Sequence, residues 1–171
     1  MYICGLYFQT QKNAPMSAQI IYPPQHWENP QKKLVVFLAG SIEMGKASPW
    51  QEHIGNKLAD FDIIILNPRR ADWDSTWLQK ATNQAFKQQV TWELTGIETA
   101  DIVVFHLEGG TLSPVSMLEL GLVADKNKAV LHCDADFWRK GNVDIVCQKY
   151  NIPQVADIEG LVDYVKNKIL L

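Results

Sequence analysis

Leu34-Val35-Val36-Phe37-Leu38-Ala39 is an unbroken apolar run that stops at Gly40-Ser41. A strand with one wet face alternates polar and apolar residues; a continuous run marks a strand covered on both faces. The pattern recurs downstream. Asp62-Ile63-Ile64-Ile65-Leu66 stops at Asn67-Pro68, Ile102-Val103-Val104-Phe105-His106-Leu107 stops at Glu108-Gly109-Gly110-Thr111, and Ala129-Val130-Leu131-His132-Cys133 is a fourth such run. Helical patterns separate them, from Ser48-Pro49 to about 59, over about 83–99, and from Ser113-Pro114 to about 125. In both Ser-Pro starts the Ser reads as cap and the Pro as first-turn residue. Leu161, Val162, Val165 and Ile169 recur at helical spacing in a closing amphipathic helix over about 158–170. Gln19-Ile20-Ile21-Tyr22 reads as an extra edge strand ended by Pro23-Pro24.

Strands alternating with helices imply right-handed crossovers and a parallel sheet with helices on both faces. Such sheets bind ligands beyond the carboxyl ends of their strands. The loops there are Gly40-Ser41-Ile42-Glu43, residues 67–75 and residues 108–113, so the polar segments converge on one edge. The expectation is an α/β fold of one domain over 1–171, with residues 1–33 as an N-terminal extension.

Bulk properties narrow the function. With 171 residues, 47% hydrophobic and 20% charged, the chain can bury a sizeable core. A net charge of −3 argues against binding nucleic acid polymers or anionic membranes, and leaves room for a local anion site. Cys4, Cys133 and Cys147 form no C-x-x-C pair and read as reduced thiols of a cytosolic protein. His26, His53, His106 and His132 have no metal-ligand spacing, so no metal is expected. No apolar run approaches a membrane span, and Met1-Tyr2-Ile3-Cys4-Gly5-Leu6 lacks the basic start of a signal peptide; a cytoplasmic location is expected.

The chemistry concentrates in Ser113-Pro114-Val115-Ser116-Met117-Leu118-Glu119-Leu120-Gly121. Glu119 stands between two leucines near a helix N-terminus, where free N–H groups and the helix dipole favour a charged carboxylate. An ionised acid in a partly apolar pocket suits a nucleophile for sugar chemistry; the other reading is a solvated helix residue. Glu93 lies on the long helix near Trp92, pointing either to solvent or over the sheet edge. Pointing inward, it makes a second acid, and paired acids suit glycosidic cleavage. Asp101 reads as a hydrogen-bonding residue at a strand start. Arg69 and Arg70 suit phosphate or carboxylate, or form surface ion pairs. Asp72 and Asp74 flank Trp73, which clamps a ring or anchors the core. Gly40-Ser41 is a phosphate-loop signal without G-x-G-x-x-G or a Walker sequence, which argues against a dinucleotide or P-loop enzyme.

These pieces resemble the nucleoside 2-deoxyribosyltransferase-like family. The matching segments are 37–43, 67–70 with Trp73-Asp74, 89–94, 113–121 and 137–143, spread over roughly 34–150. The resemblance implies a flavodoxin-like parallel sheet, cleavage of the bond between base and sugar, no metal or redox cofactor, and a homo-oligomer. It implies that Glu119 is the nucleophile and Glu93 the acid that contacts the base, where the family usually has Asp. Gly40 and Ser41 match the first sugar-binding loop, and Ser116, Arg69 and Asp74 join the substrate-binding set. Asn142 is a contact across subunits, or part of a turn-forming Gly-Asn pair. The family's first-strand Tyr is absent, with Val36 or Phe37 in its place. Transferases of the family often carry Asp six residues before the nucleophile. Ser113 stands there, as in relatives that hydrolyse nucleoside 5′-monophosphates, and a hydroxyl at a helix start favours phosphate. The substrate expected is a (deoxy)nucleoside or its 5′-monophosphate, with transfer to another base or to water. The alternatives are an inactive nucleotide-sensing module and a glycohydrolase of a nicotinamide nucleotide.

Overall fold

A computed structural model describes residues 17–74 and 76–170. Cys4, the N-terminal segment read for a signal peptide, and Ser75 lie outside them. In chain order the elements are β1 (Gln19–Ile21), β2 (Leu34–Gly40), α1 (Trp50–Lys57), β3 (Ile63–Leu66), α2 (Gln84–Thr99), β4 (Ile102–Leu107), α3 (Pro114–Val123), β5 (Ala129–Cys133), α4 (Lys140–Tyr150) and α5 (Ile158–Ile169). The strands form one parallel sheet in the order β1-β3-β2-β4-β5. This is a flavodoxin-like α/β fold. The expected edge strand is β1, which pairs with β3.

The chain leaves β2 toward β3 and later returns past β2 to β4, so the order reverses between β2 and β4. That reversal opens a crevice at their carboxyl ends. Both faces are covered, which is why the central strands read as continuous apolar runs. Phe37, Ala39, Val103, Phe105 and Leu107 pack with Trp92 and Ile97 of α2, Leu120 and Val123 of α3, and Val143 and Cys147 of α4. Val36, Leu38, Ile65, Val104 and Val130 pack with Trp50 and Ile54 of α1 and Leu161 and Val165 of α5.

Two helix starts differ from the sequence expectation. Helix α1 begins at Trp50, with Pro49 at its cap position and no side-chain cap. Ser48 instead hydrogen-bonds the Glu108 carboxylate through its amide and its hydroxyl, the latter at 2.6 Å. Ser113 does precede α3, in a left-handed conformation (φ 44°), and its hydroxyl does not cap the helix. Helix α4 was not legible in the sequence. Gly141-Asn142, read as a possible turn, lies in its first turn, and Asn142 is exposed.

Two contacts set the position of α2. Trp92 Nε1 donates to Gln25 O at 2.8 Å, and its ring lies against Trp27 and Phe37. At its far end, Lys128 Nζ donates to the carbonyls of Ile97, Glu98 and Ala100, capping the helix with a cation where its dipole favours one. Asp101 accepts from Val35 N at 2.8 Å, a strand-joining role in line with the hydrogen-bonding reading. Gly96 lets α2 lie close on β2, because a Cβ there would sit 2.7 Å from the Phe37 ring. Gly96→Val is expected to lower stability by about 2 kcal/mol in urea unfolding, the usual scale of overpacking.

Candidate active site at the carboxyl edge of the sheet

The loops after β2 and β4 are tied together at the crevice. Gly40 has φ 147°, and a Cβ there would stand 2.2 Å from His106 O, so only glycine permits this approach. Ser41 N donates to His106 O, and Trp50 Nε1 donates to Ser41 O. Three buried hydroxyls then form a cluster: Ser41 Oγ lies 2.8 Å from Thr111 Oγ1 and 2.7 Å from Ser113 Oγ. Glu108 N donates to Ser41 Oγ, and Thr111 Oγ1 donates to Glu108 O. The hydroxyl hydrogens of Ser41 and Ser113 are thus used within the cluster. These two residues bind the loops to each other.

Glu43 completes the knot. Its backbone is left-handed (φ 39°), and its Oε1 accepts from the amides of Leu112 and Ser113. A carboxylate of the protein therefore occupies the N–H groups just ahead of α3, where sequence reading places a phosphate. From the far side, Trp138 Nε1 donates to Leu112 O at 2.9 Å.

Helices α2 and α3 bring the two acids to this edge. Ser116, Glu119 and Leu120 are buried on the inward side of α3, with Ser116 one turn before Glu119. Only 7% of Glu119 is exposed. It is the sixth residue of α3, beyond the first turn in which the helix dipole acts. Its carboxyl is pushed up to about 8, by burial first and by the charge of Glu93 second. Burial thus works against the ionised form that the sequence reading expects of Glu119. Glu93 is also raised by burial, and Gln89 works against that by donating to Glu93 Oε1 at 2.8 Å. Glu93 is half-buried on α2, and its charge bears on Glu119 of α3.

The other expected residues have local partners. Arg69 donates to the carbonyls of Ala47 and Ser48 and to Gln51 Oε1, fastening the 41–48 loop to the 67–74 loop. Arg70 forms a two-pronged pair with Asp72, at 2.8 and 2.7 Å, and lies over the Trp77 ring. Asp74 accepts from the amide and hydroxyl of Thr76. Trp73 packs edge-on against Trp77. Among the described residues, Gln51 Nε2 and Trp73 Nε1 are buried donors without a partner. On the opposite side of the sheet, His106 Nδ1 and His132 Nδ1 lie 3.0 Å apart, with Asp134 close enough to complete a three-ligand cluster. The two rings are parallel, with centroids 5.0 Å apart. Burial lowers His106 to about 4.

Sequence reading passed over Gln89 and Glu43 as site residues. Gln89 stands one helical turn before Glu93, a spacing that signals contact on a helix. Glu43 gave no such signal, because its reach depends on the left-handed backbone.

The fold and this edge define a flavodoxin-like α/β protein with an acid on each of the two helices, α2 and α3, beside its strand-order reversal. The family model described as "Nucleoside 2-deoxyribosyltransferase like" matches residues 33–137, and the chain belongs to that family. A solved structure of a conserved protein from Enterococcus faecalis V583 has a similar fold, with a TM-score of 0.54 at 17% identity, covering 80% of this chain and 99% of that one. No curated protein matches the chain in sequence.

The raised carboxyl of Glu119 has a consequence for stability. Between about pH 4.5 and about 8 the folded chain keeps a proton that the unfolded chain has lost, so this group's contribution falls as pH rises through that window. Glu119→Gln is therefore expected to raise Tm above wild type by several degrees at the alkaline end. The difference should vanish at the acid end, which thermal unfolding followed by circular dichroism across the window would read.

Proposed function

We propose that the protein cleaves the N-glycosidic bond of nucleosides, with Glu119 attacking C1′ and Glu93 serving the departing base. The observation that carries this reading is the presence of two acids, Glu119 buried and Glu93 half-buried, on the helices flanking the strand-order reversal of a family tied to sugar–base chemistry. Glu119 forms a glycosyl ester, which a second base or water then resolves. Phe37 points to the same side of the sheet as the acids and carries no hydroxyl, so the nucleophile is oriented by its helix rather than by a first-strand Tyr. No step in this scheme calls for a metal or redox cofactor.

The substrate in this reading is a free nucleoside rather than its 5′-monophosphate. Ser113 supported phosphate in the sequence, but its hydroxyl serves the three-hydroxyl cluster and Glu43 fills the amides beside it. Arg69 and Arg70 are both engaged by protein acceptors, and a dianion would face the carboxylates of Glu43 and Glu93. Uncompensated charge of that sign is costly in a partly buried site.

The same reading includes a homo-oligomer, supported by Val115, Leu118 and Leu122, which α3 leaves exposed beside the site. A reducing, cytoplasmic setting agrees with the buried thiols of Cys133 and Cys147, which burial pushes up to about 12 and about 11. Among the described residues no helix is long and apolar enough to cross a membrane.

The test is base release, read by chromatography, from nucleosides, deoxynucleosides and their 5′-monophosphates, with and without an acceptor base. Release that is lost in Glu119→Ala is expected, and acceptor dependence separates transfer from hydrolysis. Nucleotide binding without any release would point to a sensing module instead, and release of nicotinamide alone to a nicotinamide glycohydrolase. Monophosphates should compete at least tenfold less well than the parent nucleosides. Glu43→Ala should narrow that gap; monophosphates that outcompete nucleosides in wild type would refute the assignment of Glu43.

A further inference from the structure

We propose that Gln89 is a positioning residue that holds Glu93 as the carboxylate, so that the pair's one proton resides on Glu119 and passes through Glu93 to the leaving base. The proton-passing step rests on the glycosidic reading above; the ionisation order rests on the Gln89 hydrogen bond to Glu93 and on the deeper burial of Glu119.

Gln89 is buried, and its amide is held at both ends. Nε2 donates to Glu93 Oε1 at 2.8 Å and to Pro68 O at 3.1 Å. Oε1 faces Arg70 Nη1 at 3.5 Å. Arg70 is fixed in turn by Asp72 and by the Trp77 ring. A carbonyl only accepts and a guanidinium only donates, so the amide has one acceptable orientation. Flipping it would set oxygen against Pro68 O and Glu93, and NH₂ against Arg70. Glu93 therefore always meets an N–H donor, and a donor favours the ionised form of a carboxyl. Glu119 faces Glu93 and apolar burial, both of which favour its protonated form. The titratable groups that bear on Glu93 include Glu119 on α3 and, behind Gln89, Arg70 with its partner Asp72.

This placement closes the proton balance of the first chemical step. The proton leaves Glu119 for Glu93 as the Glu119 oxygen bonds to C1′. The C1′–N bond breaks with its electrons going to the base, and Glu93 hands the proton to the base. Protonated Glu119 and a nucleoside thus become a glycosyl ester and a neutral base, and Glu93 ends as it began.

Carboxyl ¹³C titration by NMR of the free protein reads the ionisation order without turnover. Glu93 is expected to lose its proton at lower pH than Glu119. In Gln89→Leu the Glu93 midpoint should rise by about one unit, the equivalent of one hydrogen bond to a charged group. Glu93→Gln removes the neighbouring charge, so the Glu119 midpoint should fall, and this variant keeps the question open to test if Gln89→Leu does not fold. In base release, the acid limb of the pH profile should move up by about the same amount in Gln89→Leu while the alkaline limb stays. A merely structural Gln89 would lower the rate at every pH without moving either limb. Glu119 titrating first, or limbs and midpoints that ignore Gln89, would overturn the proposal. Wild type that titrates as expected but releases no base would overturn the glycosidic reading and the proton-passing step, leaving the ionisation order standing.

Discussion

The contact on which the rest depends is the meeting of β2 and β4 at their carboxyl ends. Gly40 lies so close to His106 that no side chain fits, and the next residue, Ser41, enters the hydroxyl cluster with Thr111 and Ser113. Parallel strands at an order reversal send their chains to opposite faces, which would leave a gap between the loops. Here that gap is laced by hydrogen bonds among Ser41, Thr111, Ser113, Glu108 and Glu43. Each satisfied buried hydroxyl avoids the cost of desolvation without a partner, and the lacing fixes where α3 begins. The position of Glu119 follows from that start, and the position of Glu93 from Trp92 and Gly96 on the neighbouring helix.

The edge is electrostatically one-sided. Three carboxyl groups, Glu43, Glu93 and Glu119, meet it, while the two nearby guanidinium groups are spent on loop carbonyls and on Asp72. Gln89 donates to one of these acids, and Glu43 fills the amides at the start of α3. Both act by hydrogen bonds to backbone or neighbouring side chains, at positions that carry no marked chemistry of their own.

The fold was legible in the sequence because its signals are local. The runs at Val35–Leu38, Ile63–Leu66, Ile102–Leu107 and Ala129–Cys133 are strands because the two-sided burial that makes them apolar is itself the architecture. Glu93 and Glu119 were legible as candidates because an acid inside an apolar turn stands out. What failed needed partners distant in the chain. Ser48 and Ser113 look like caps, but Glu108 and Ser41 compete for their hydroxyls across 60 and 72 residues. Helix α4 has weak amphipathicity and a Gly-Asn pair at its start, and only packing of Val143 and Cys147 against the sheet makes it a helix. The upward push on the Glu119 carboxyl comes from burial and from a second acid on another helix, neither of which spacing reveals.

The histidine pair on the other side of the sheet has a consequence for symmetry. His106 and His132 occupy paired positions on adjacent strands, with parallel rings and a carboxylate near each outer nitrogen, Glu108 for one and Asp134 for the other. A bond from Nδ1 to Nδ1 admits one hydrogen, so two neutral rings joined this way are opposite tautomers. One ring turns an N–H toward its carboxylate and the other turns a lone pair. The motif looks two-fold in shape and is handed in its chemistry.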